Sequence, residues 1–164
     1  MNATAYARLQ LEQAFSLMNG TAQGMDDKQY NWKPEGTCNP IGKNHVHAMT
    51  AVDFFLNFLA QGKAPLWQPV AAEHGLPQNS LEIWKFDGKI PLDAINAYGQ
   101  QVQKSALDYV ATLSDADLDR ELDTKFIGTQ SVAFLVQLSG MHTVGHAGDI
   151  AALKGIQGLK GLPF

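Results

Sequence analysis

The chain has 164 residues, 17% charged and 45% hydrophobic, with a mean hydropathy of -0.15; this is the composition of one globular domain with a sizeable core, expected over 1–164, and not of a disordered chain. A net charge of -4 without any basic run excludes a nucleic-acid surface, and two arginines, Arg8 and Arg120, leave little for bidentate recognition of phosphate or carboxylate. A single cysteine, Cys38, excludes an intramolecular disulfide, and no stretch is long and apolar enough to span a bilayer.

The opening segment MNATAYARLQLEQ has neither the basic start nor the apolar run of a signal peptide, so a cytoplasmic location is expected. A first helix is predicted over about residues 3–18, ending at Asn19-Gly20 as a left-handed stop. A Gly-, Pro- and Asn-rich connector follows. Asn39 reads as an N-cap with Pro40 at the first helical position, opening a second helix that runs to about Ala60. Residues 62–90 are punctuated by Pro65, Pro69, Pro77, Gly75 and Gly88 and read as a long connection pinned by Trp67, Trp84 and Phe86. So long a connection usually crosses a bundle or covers a site, and Trp67 and Trp84 are the residues expected at such a site. A third helix is predicted from near Pro91 to about Leu113, then a short turn of helix capped by Ser114 and Asp117, then a fourth helix from near Thr129 to Lys154-Gly155. Four long helices predict an all-α four-helix bundle, and the long link lets helices two and three run parallel.

The chemistry concentrates in the histidines. In MHTVGHAGDI, residues 141–150, His142 and His146 lie four apart, which on a helix is about 6 Å along the axis and one face. Their face also collects Leu135, Leu138, Ser139, Asp149 and Leu153, so they point toward the bundle interior. Buried neutral imidazoles need hydrogen-bond partners or a metal, and the pair alone does not choose between these. Gly145 and Gly148, expensive in a helix, would allow close approach of another helix or a ligand. A third ligand is available from His45 or His47, but these differ by about 200° around a helix, and periodicity does not decide between them. His74, in the connection between prolines, reads as solvated.

The segment IGKNHVH followed by an apolar helix, together with HTVGHAGDIAALKG near the end, resembles the DinB-like superfamily of four-helix metalloproteins. Ile41 and Gly42 match that family's Ile-Gly start of helix two, and its histidine then falls on His47. Asp53 fits the acidic position six residues later. His142, His146, Gly148 and Ile150 match the helix-four signature, with Asp149 where glutamine is usual. NWKPEG and LSDADLDREL are similar to further family segments.

The resemblance implies an up-down-down-up bundle, often a homodimer, with a divalent metal (nickel or zinc, sometimes iron) held by His47, His142 and His146. Three neutral nitrogens with no fourth protein ligand would leave a position open, as in a catalytic rather than a structural centre. Asn44, one turn before His47, could orient an imidazole or bond a water. Asp149, one turn after His146, could act as an acceptor or a general base, or be a solvated carboxylate. Lys43 is the nearest basic residue, and Cys38 is not expected to serve as the thiol. The family also implies a metal-dependent enzyme on a small-molecule substrate, a transferase using a low-molecular-weight thiol cosubstrate or a hydrolase. The other reading is a non-catalytic metal- or small-molecule-binding stress-response protein.

Overall fold

A computed structural model describes residues 2–164 of the chain. Helix α1 spans Ala3–Thr21, with the Asn2 side chain accepting from the Ala5 N–H. It runs past the expected stop at Asn19-Gly20. Gly20 is there for another reason: a Cβ on it would lie 2.8 Å from Pro163 Cβ, so its bare backbone admits the C-terminal segment. The carbonyl end of α1 is instead met by the buried Lys154, whose Nζ donates to Thr21 O at 2.8 Å and Gln23 O at 2.6 Å. Burial lowers the pKa of that ammonium from its ordinary 10.5.

The connector carries a short helix that the sequence reading missed, α2, Asp27–Tyr30, built by a capping box between Asp26 and Gln29. Helix α3, Ile41–Val52, takes Pro40 as its N-cap with no side-chain cap, one residue later than expected. It then widens into a π-helix over Asp53–Ala60. The connection 62–90 is not structureless: it contains α4, Trp67–His74, and a 3₁₀ segment, Ser80–Lys85. Helix α5 spans Leu92–Thr112, and α6, Asp115–Leu118, is capped by Ser114 and Asp117 as expected. Residues read as the start of the fourth helix form β2, Thr129–Ser131, paired antiparallel with β1, Glu121–Asp123; α7 then spans Val132–Ile156.

Side-chain contacts give the helix directions. Thr4 bonds Asp115 and Asn19 bonds Gln103, so α1 and α5 are antiparallel. Ser105 bonds Asn57 and Tyr109 bonds Ala60 O, while Gly99 abuts Met49; α3 and α5 therefore run parallel. Gly140 faces Leu11 and Ala14, and Lys154 reaches Thr21, so α7 runs with α1. The order is up-down-down-up, with α3 and α7 antiparallel neighbours. Leu11, Met18, Met49, Val102, Leu135 and Ile150, each fully or nearly fully buried, fill the centre.

The crossover is tied to α3 by one carboxylate. Asp53, fully buried, accepts from Trp67 N at 2.9 Å, Tyr98 Oη at 3.0 Å and Asn57 Nδ2 at 2.6 Å. It thereby caps the start of α4 from another element. Burial, then the charge of Asp53, raise the Tyr98 phenol above its ordinary pKa, so it stays a donor. No helix of the structure is long and apolar enough to cross a membrane.

Candidate metal centre

The two histidines of α3 go separate ways. His45 is 2% exposed and turned inward, where its Nδ1 shares a 3.0 Å hydrogen bond with Tyr30 Oη. Burial lowers its pKa from 6.5 to about 4. His47, on the side toward α7, is half-buried, with its ring centroid 4.9 Å from that of His142 and 5.1 Å from that of His146. The α7 pair, one turn apart, are 4.5 Å from each other. One ring nitrogen from each of the three lies within 4.8 Å of the others.

Burial and mutual proximity keep the His47 and His142 rings neutral. Burial first, then the neighbouring His142 and His146, lower the His47 pKa to about 4; burial and His146 lower that of His142 to about 4 against the opposing charge of Asp149. Two ring nitrogens of the cluster, His142 Nε2 and His146 Nδ1, are buried without a hydrogen-bond partner. Asp149 Oδ2 comes within 3.0 Å of His146 Nδ1 but lies off the direction a ring N–H would take, so the contact is not a hydrogen bond. Orphaned buried nitrogens are costly, and three converging imidazoles are a donor set that a divalent cation takes, so the residues fit a metal.

One wall of the cluster is aromatic. Trp84, from the 3₁₀ segment of the crossover, sets its ring 4.7 Å from that of His47, and its carbonyl accepts from Lys43 Nζ at 3.0 Å. A groove of about 630 Å³ between α1 and α7 is lined by none of the histidines. The chemistry and this apolar hollow are thus separate features of the surface.

Residues 10–150 match the sequence profile of the DinB superfamily. The chain belongs to that superfamily. The fold agrees with two solved structures. One is a DinB-like protein from Bacillus subtilis, 19% identical over 97% of this chain and 96% of that one, with a TM-score of 0.68. The other is a conserved protein from Enterococcus faecalis, 15% identical over 96% and 99% of the two chains, with a TM-score of 0.79. No curated protein matches the chain.

The remaining expected site residues of this DinB-superfamily chain are dispersed. The Asn44 amide donates to the carbonyls of Asn39 and Pro40, both at 3.2 Å, and makes no hydrogen bond to an imidazole. Trp67 is core, edge-on to Tyr98, with its indole N–H on Pro77 O; only Trp84 of the expected pair reaches the histidines. His74 is exposed at the end of α4, and Cys38 is exposed ahead of α3. Gly145 and Gly148 have open space where a Cβ would stand, so no helix approaches them. Tyr30, which settles the role of His45, was hidden in a segment read as loop. The capping box Asp26–Gln29 was the available signal for a helix there.

Proposed function

We propose that His47, His142 and His146 hold a divalent metal, zinc, nickel or iron, and that the chain is a metal-dependent enzyme acting on a small molecule, by transfer of a low-molecular-weight thiol or by hydrolysis. The observation that carries the reading is the convergence of three imidazoles from α3 and α7 with His142 Nε2 and His146 Nδ1 left unpartnered. A metal held by nitrogen alone would supply Lewis acidity, favouring the thiolate of a bound thiol or the hydroxide of a water. Asp149, exposed on the next turn, is the carboxylate nearest the centre and the one to take a proton from substrate or water. Trp84 shields one side of His47 from water and presents a flat apolar wall to whatever binds.

A homodimer belongs to the same reading. α7 leaves Met141 64% exposed in the groove that it shares with Tyr6 of α1, and a second copy would cover this apolar groove. Sedimentation is expected to give twice the 17.8 kDa of the chain.

The enzymatic part is tested by loading the protein with zinc or nickel and assaying thiol conjugation to small electrophiles and ester hydrolysis. Turnover is expected to need the metal, to vanish in His146→Ala and to fall by roughly two to four orders of magnitude in Asp149→Asn. A fully loaded protein with neither activity would leave a binding protein instead.

A further inference from the structure

The lysines of this acidic chain are not evenly spread. Four of its ten, Lys33, Lys43, Lys85 and Lys89, line one cavity of about 410 Å³ between the segment before α3 and the end of the crossover. Asp87 is the one acid among the lining residues, so the cavity gathers a net +3 in a chain whose total is -4. Lys43 is anchored on Trp84 O, and Lys85 lies 3.3 Å from Glu82. Lys33 and Lys89 have no ion-pair or hydrogen-bond partner among the described residues, and both are exposed.

Two further features point the same way. α3 starts at this cavity, with Asn39 and Pro40 in its wall, and carries no side-chain cap. The first-turn N–H groups of a helix that continues to Ala60 therefore end there with no side-chain acceptor, adding the positive end of its dipole to the lysines. Trp84 is shared: it lines the cavity, and its ring also lies 4.7 Å from that of His47, tilted by 50°. A single indole thus separates the lysines from the histidine cluster.

We propose that this cavity binds a compact polyanion, a small polycarboxylate or a phosphate monoester, as the anchoring subsite for ligands of the histidine centre. The volume suits a small-molecule headgroup. Lysines are point charges with rotatable donors, so they hold either anion without the planar pairing that arginine demands. The binding of the anion stands on the cavity alone; its role as a subsite rests on the metal-dependent reading above.

The test is calorimetric titration of the full chain at low ionic strength, with tricarballylate and inorganic phosphate as probes, in the parent, in Lys33→Gln/Lys89→Gln and in His142→Ala. Saturable binding of at least one probe is expected, weakened tenfold or more in the double variant and unchanged in His142→Ala. The tighter probe then identifies carboxylate or phosphate as the headgroup. In nitrogen-15 spectra the Trp84 indole signal is expected to move with the probe while that of Trp67 stays. No saturation by either probe, or equal affinity in the double variant, overturns the proposal; a melting curve checks that the two exposed substitutions leave the fold intact. A parent without metal that binds through Lys33 and Lys89 would keep the anion site and discard the metal enzyme. A metal-loaded parent that binds neither probe would do the reverse.

Discussion

His45 and His47 are the same residue type two positions apart, and the helix sends them to opposite fates. His45 is fully desolvated and paired with Tyr30; its pKa falls from 6.5 to about 4. Below pH 6.5 the unfolded imidazole takes up a proton that the folded one refuses until about pH 4. Stability is thus whole above that range and drains away as the pH falls through it, by about 3 kcal/mol for this group. Urea titrations at pH 7 and pH 4.5 are expected to show the loss, and His45→Gln is expected to reduce it without abolishing it, because the pKa values of His47 and His142 fall to about 4 as well. An unchanged slope in that variant would assign the acid sensitivity elsewhere. At this scale the sequence was half legible. Ligand type and the α7 spacing were plain, but which α3 histidine faces α7 depends on where Tyr30 sits, and local pattern does not carry that.

Among the elements, the crossover and the widened end of α3 were the least legible. Proline and glycine spacing marks 62–90 as a connection, yet α4 is held by a tertiary bond from Asp53 and the 3₁₀ segment by Lys43 on Trp84 O, which periodicity cannot show. Asp53→Ala would strand Trp67 N–H, Tyr98 O–H and the Asn57 amide. We expect a loss of about 3 kcal/mol or more in denaturant titration and new protease cleavage within 62–90. A loss well under about 1 kcal/mol would mean that the crossover is fixed by its apolar contacts alone. The helix glycines test α7 separately. A Cβ at Gly145 or Gly148 meets nothing within 4 Å, so each alanine substitution is expected to add about 0.5–1 kcal/mol in the monomer. Destabilisation of both would reveal a surface packed against them. Gly42→Ala is the opposite case: its Cβ would stand 2.9 Å from Ile90 Cβ and from Tyr30 Cε1, and unfolding is expected at lower denaturant.

For the whole molecule, four amphipathic or apolar runs and one long link were enough to read an all-α bundle with two parallel central helices, because helix count and loop length are local quantities. The β1–β2 hairpin is hidden because strands of three residues, Glu121–Asp123 and Thr129–Ser131, are too short for an alternation to stand out. The lysine cavity escaped for a related reason: its four lysines are spread over residues 33–89 and meet only once the crossover folds back onto the start of α3. The fold's main consequence is to bring α3 and α7 side by side, so that one histidine of the first meets two of the second. Elemental analysis of the purified chain after zinc and nickel loading, beside His47→Ala, His142→Ala and His45→Gln, tests that consequence most directly. The account expects about one metal per chain, lost in His47→Ala and His142→Ala and kept in His45→Gln. No metal in the parent, or loss in His45→Gln with retention in His47→Ala, would contradict it.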